Sequence, residues 1–210
     1  MNSGQMLLEL SDPPLPTFDN FVPGRNAAAL AALLALGSPA TSDRCVYLWG
    51  VPGSGRSHLL AAWRAVHASN PACCAVDDVG TLDETAQIAL FNRYNHVRDG
   101  HGSLLVAGDL PPAQLVLRDD VKSRLAWGLG FEILPLTDDE KRAALMRRAS
   151  ERGMRINPEM LDYLMTRSRR DMISLIALLE ALDRLSLQTK RAPTVPLLRE
   201  LLTRNQSLPL

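Results

Sequence analysis

Lysine is nearly absent from this 210-residue chain: three (Lys122, Lys141, Lys190) stand against twenty arginines. Cationic sites are therefore built from planar, forked guanidinium groups rather than compact ammonium groups. Charge of one sign is also lacking: 23 Lys and Arg balance 23 Asp and Glu. No global field drives the chain toward nucleic acid or membrane, and strong direct DNA binding is not expected. Cysteine is scarce and odd in number (Cys45, Cys73, Cys74), with no C-x-x-C or His/Cys ligand spacing. That argues against a disulfide framework and a zinc site, and predicts reduced core thiols in a cytoplasmic protein. No apolar run is long enough to span a membrane, and the N-terminus lacks a signal peptide's basic start.

The apolar fraction, 46%, is ample for a core. The central feature is Gly50-Val51-Pro52-Gly53-Ser54-Gly55-Arg56-Ser57. It follows the apolar run Cys45-Val46-Tyr47-Leu48-Trp49 and opens a helical pattern beginning Ser57-His58-Leu59-Leu60. Strand, glycine loop and helix in that order fit the phosphate-binding P-loop at every fixed position but one, Arg56 for lysine. Glycines let successive N–H groups turn inward around a phosphate chain, and a helix N-terminus adds partial positive charge. Ser57 offers a hydroxyl for Mg²⁺, and Arg56 keeps a cation near the β- and γ-phosphates. The exchange predicts retained nucleotide binding and weak hydrolysis, although arginine here also follows the chain-wide bias.

Residues 1–14 read as a tail. A helix is expected over about 26–36, stopped by Gly37. Beyond the P-loop helix, a link of about 67–71 leads to a buried strand over 72–76 that ends in Asp77 and Asp78. Thr81-x-x-Glu84 predicts a capping box for a helix of about fifteen residues. Ser103–Ala107 is a further buried strand ending at Gly108-Asp109. Arg124 follows on a short helix and loop, and residues 131–134 form the last strand. The alternation predicts a parallel α/β sheet. From Thr137 the pattern is helical: a capping box at Thr137-x-x-Glu140, a stop at Gly153, Asn157-Pro158 starting a second helix, a third over about 170–186 and a fourth from about Thr194. The expected division is a tail over 1–14, an α/β domain over 15–136 and a helical domain over 137–210.

Together these features resemble AAA+ proteins, and within them the Hda family of DnaA-related regulators. The match rests on Thr17–Gly24, Leu48–Leu60, Val76-Asp77-Asp78, Gly108–Pro112, Ser123-Arg124-Leu125-Ala126-Trp127-Gly128 and Arg170-Asp171-Met172. It covers nearly the whole chain. It implies an AAA+ P-loop fold with a C-terminal helical lid, binding ADP or ATP with Mg²⁺. By resemblance, Asp77 and Asp78 are the Walker B acids, Asp77 holding Mg²⁺ through water and Asp78 polarising water. Asp109 is sensor 1. Arg170 is sensor 2, although Arg167, Arg169 and Arg170 also read as a solvated helix face. The segment containing Phe21 and Val22 packs around the adenine. Arg124 matches the arginine finger, which one subunit inserts into its neighbour's site; on its own it also reads as a surface arginine.

The implied partners are the DnaA initiator and the DNA polymerase sliding clamp, with a homodimer left open. The implied function is clamp-dependent promotion of ATP hydrolysis on DnaA, which limits replication initiation. Gln5-Met6-Leu7-Leu8-Glu9-Leu10 resembles a clamp-binding peptide, with Gln5, Met6, Leu7, Leu8 and Leu10 as contacts. Nothing here corresponds to the helix-turn-helix domain of DnaA-type initiators. The family strand expected between the P-loop helix and the Walker B strand is missing, which predicts four strands. A self-sufficient ATPase such as a helicase loader, and a non-hydrolysing adaptor, are the alternatives.

Overall fold

A computed structural model of the chain describes residues 15–38, 41–168 and 171–206. They fall into two compact units, one over Pro16–Leu136 and one beginning at Thr137.

The first unit is built on a parallel sheet of four strands: β1 (Cys45–Trp49), β2 (Cys73–Val76), β3 (Ser103–Gly108) and β4 (Leu129–Glu132), in the order β2-β3-β1-β4. This is the expected four-stranded AAA+ sheet. Between β1 and β2 lies a single helix and a short turn; Asn70 closes the turn by accepting the Ala72 N–H at 3.1 Å through its side chain.

Side-chain alternation sorts the core into two layers. Val46 and Leu48 of β1, with Leu105 and Ala107 of β3, pack against α1 (Ala27–Ala35) and α2 (Arg56–Val66). Cys45 and Tyr47, with Leu104 and Val106, pack on the other side against α3 (Glu84–Arg98) and α4 (Asp119–Leu125). Both faces of β1 and β3 are thus covered, which explains their unbroken apolar runs.

Four expectations need correction. β2 is half-buried rather than buried, because it pairs with β3 alone and forms an edge of the sheet. Its Cys73 and Cys74 are half-buried free thiols, and only Cys45 is a core thiol, where burial raises its pKa to about 11. The cap of α3 is Asp83, whose carboxylate accepts the Ala86 N–H at 2.8 Å. Thr81 instead ends a 3-10 turn over Val79–Thr81 and donates its hydroxyl to the Asp78 carbonyl at 2.8 Å. The last strand also begins two residues earlier than expected, at Leu129.

The second unit holds α5 (Asp138–Glu151), α6 (Pro158–Arg167), α7 (Met172–Thr189) and α8 (Val195–Gln206). Thr137 and Glu140 form the expected reciprocal capping box. Asn157 caps α6, with Pro158 at its first position. Leucines of α6, α7 and α8 share one core with Leu145 of α5. Asp183, largely buried on α7, is held at 2.8 Å by Arg152, the residue that caps the end of α5. Among the described residues no helix is long and apolar enough to cross a membrane.

Candidate nucleotide site

Parallel strands deliver their C-terminal ends to one edge, where open α/β sheets bind ligands. Here β1 runs into the P-loop, β2 into Asp77 and Asp78, and β3 into Asp109. Trp49 pairs with Gly108, so Gly50 and Asp109 leave neighbouring strands at the same level. The loop's shape requires glycine. A Cβ on Gly50 would lie 2.4 Å from the Ile133 carbonyl oxygen. Gly55, at φ +106°, would drive a Cβ to 3.0 Å from the Phe21 ring.

Within this loop Val51, Pro52 and Gly53 are exposed, as is Ser57 on the first turn of α2, while Ser54 and Arg56 are buried. Arg56 forms a short ion pair with Asp109 through one guanidinium nitrogen. The cation is desolvated, while its carboxylate partner keeps 63% of its side chain in water. The other terminal nitrogen, Nη1, is buried without an acceptor, as is the Ser54 hydroxyl. Native proteins leave few buried polar atoms unpaired. An anion in the loop would satisfy these two, so a phosphate chain fits the residues present. Tyr47, which no sequence motif marks, donates its hydroxyl to the Leu110 carbonyl at 2.6 Å. Burial pushes its pKa up to about 12; Arg56 opposes the rise and Asp109 adds to it.

Asp77 is half-buried and accepts the Asp78 N–H at 3.0 Å. Asp78 is exposed and left-handed, at φ 45°, a conformation that aspartate tolerates better than most residues. Among the described residues no three His, Cys, Asp or Glu side chains converge into a metal site by themselves. Ser57 and Asp77 are the two side chains the chain would offer to Mg²⁺ beside phosphate oxygens.

In the segment preceding α1, Thr17 and Asn20 close a turn by two reciprocal bonds of 2.8 and 3.2 Å. The Thr17 carbonyl lies 2.9 Å from Nε2 of His58, and the Phe21 ring leans on the same imidazole at 5.4 Å. Burial lowers the pKa of His58; the Thr17 bond partly offsets this. Val22 follows half-buried, and buried Asn26 fixes the far end of the segment by two bonds to the Leu134 backbone, of 2.8 and 2.9 Å. Phe21, His58 and the P-loop therefore meet, bringing together residues that lie more than thirty positions apart in the sequence. Arg170 and the peptide containing Gln5, Met6, Leu7, Leu8 and Leu10 lie outside the described residues.

Arg124 does not join this group. Just past the end of α4, Gly128 sits against the Cys45 carbonyl at the start of β1. That is the N-terminal edge of the sheet, one strand length, roughly 15 Å, from the P-loop edge. The guanidinium lies over the Phe91 ring of α3, 5.3 Å from its centroid. Lys122 on the same helix pairs with Asp119, and Arg118 at its cap with Asp120. Arg124 has no carboxylate partner among the described residues, and its Nε is buried without an acceptor.

Comparison with known proteins bears on both units. Residues 138–202 match the family model described as "Hda, lid domain". The helical unit is similar to an Hda lid domain. Domain III of the Thermotoga maritima replication initiation protein DnaA is similar in structure, with a TM-score of 0.68 at 18% identity, over 93% of this chain and 98% of that one. AMPPCP-bound DnaA from Aquifex aeolicus gives a TM-score of 0.64 at 19% identity, over 84% and 70%. The Thermotoga maritima RuvB Holliday junction branch migration motor gives 0.60 at 17%, over 90% and 71%. At these identities the structural likenesses establish the AAA+ fold alone, and the lid match carries the Hda relationship.

Proposed function

We propose that this Hda/DnaA-related protein binds ADP or ATP with Mg²⁺ and, docked on the DNA-loaded sliding clamp, promotes hydrolysis of ATP held by DnaA. The observation that carries the proposal is the separation of two cations. Arg56 is buried in the P-loop and tied to Asp109. Arg124 lies at the other edge of the sheet with no carboxylate partner among the described residues. A cation so placed serves a neighbour's site better than its own.

A bound nucleotide and its Mg²⁺ would supply the phosphate oxygens that Ser54, Arg56 and Ser57 lack. The chain's own residues then divide the work. The P-loop amides hold phosphate, Phe21 and Val22 exclude water from the base, and His58 fixes the segment that carries them. Asp77, with Ser57, would hold the Mg²⁺, whose charge would offset that of the phosphates. Asp78 and Asp109 stand at the strand ends where a water would be polarised and a γ-phosphate sensed, and Arg170 would serve as sensor 2. The pairing of Arg56 with Asp109 supports weak turnover in this chain itself. Arg124 would act in trans: a guanidinium beside a transferring phosphoryl group stabilises charge in the transition state. The tail with Gln5, Met6, Leu7, Leu8 and Leu10 would tether the protein to the clamp.

The test is the rate of ATP hydrolysis on preloaded DnaA, with and without clamp on DNA, for the parent and Arg124→Ala. The expected result is stimulation that needs the clamp and falls by roughly 10³ in Arg124→Ala. No stimulation, with ATP turned over by this chain unaided, would make it an independent ATPase instead.

A further inference from the structure

The chain has three tryptophans, and they are not placed alike. Trp63 is 1% exposed in the core and Trp49 packs against the second core layer. Trp127 is 56% exposed and belongs to no core cluster. It stands one turn beyond Arg124, and its backbone N–H donates to the Arg124 carbonyl at 3.1 Å. An exposed indole is thus tied, through the end of α4, to the one cation of that helix without a carboxylate partner among the described residues.

We propose that Trp127 is the anchor that seats the nucleotide-bound partner against Arg124, with capture residing in the indole and chemistry in the guanidinium. Charge complementarity argues for this occupant. A guanidinium with no carboxylate partner among the described residues selects a surface that presents anionic oxygens, as a nucleotide's phosphates do, while the neighbouring Lys122 and Arg118 are already neutralised. Tryptophan buries the largest apolar area of any side chain at little entropic cost, and Trp and Arg dominate the strongly contributing positions of interfaces. The inference rests on the reading of Arg124 as a finger acting in trans.

The experiment titrates ATP-loaded DnaA against clamp-bound parent, Trp127→Ala, Trp127→Phe and Arg124→Ala proteins. In Trp127→Ala the half-saturating concentration should rise about tenfold, with the plateau rate kept within about twofold. Trp127→Phe should recover part of the loss. Because the side chain is exposed, the thermal melt should match the parent's. A second readout does not depend on activity. In protein labelled with 5-fluorotryptophan, the fluorine resonance that disappears in Trp127→Phe should shift or broaden when ATP-loaded DnaA is added.

An unmoved half-saturation, or a plateau that collapses as in Arg124→Ala, overturns the anchor while leaving the finger in place. An Arg124→Ala protein with parental activity overturns the finger, and the fluorine line then decides Trp127 alone: a shift with DnaA keeps the anchor, and no shift removes it. A line that moves with this protein's own concentration, with self-association lost in Trp127→Ala, would assign the face to a second copy and overturn the proposal.

Discussion

His58 shows how one side chain can be half legible. Its place after Ser57 marks it as part of the P-loop helix, yet its partner, the Thr17 carbonyl, is 41 residues away in sequence. Burial lowers its pKa below the ordinary 6.5. The folded state therefore binds fewer protons than the unfolded state around that value. The stability this group contributes is present above pH 6.5 and is lost as pH falls through it. His58→Gln keeps an amide donor for Thr17 and removes the titration. Urea midpoints at about pH 7.5 and about pH 5.5 should fall further for the parent than for the variant. Equal falls would show that the imidazole is as well solvated in the folded protein as in the unfolded chain. Arg56 and Asp109 make the same point: each is marked by its motif, but that they meet follows from β1 and β3 being neighbours.

At the scale of elements, the caps separate local from contextual signals. Thr137-x-x-Glu140 and Asn157-Pro158 read correctly because each cap closes within a single turn. Thr81-x-x-Glu84 satisfies the same pattern and fails. Asp78 in its left-handed conformation winds the chain into a 3-10 turn first, and the helix then starts from Asp83. Asp83→Ala should cost about 1 kcal/mol of stability, and Thr81→Ala less than half of that. Urea unfolding of the two variants checks the order, and the reverse order would restore Thr81 as the cap. β2 misled for a related reason. Its four residues are small and apolar, but composition does not say how many neighbours a strand has. At the sheet's edge the same residues are only half-covered.

For the whole molecule, the described residues hold separate cores: one within the helical unit and two layers around the sheet. Leu179 is fully buried in the helical unit. Truncating it to Ala should remove roughly 2–5 kcal/mol there. Hydrogen exchange should quicken in α7 and α8 while β1 and β3 keep their protection. Equal quickening in β1 and β3 would mean that the two units open as one. The same scale governs Arg124: only the assembled sheet shows it at the edge away from the P-loop.

By itself the sequence determined what depends on neighbouring residues: the P-loop, the alternation of strands and helices, two of three caps and the four strands. Each follows from backbone sterics, side-chain period or turn chemistry acting over a few residues. The tertiary structure alone decided the pairing of Arg56 with Asp109, the bond from His58 to Thr17, the edge position of β2 and the separation of Arg124 and Trp127 from the phosphate loop. Those depend on which strands lie side by side, and strand order is set by packing between segments far apart in the chain, which no local pattern encodes.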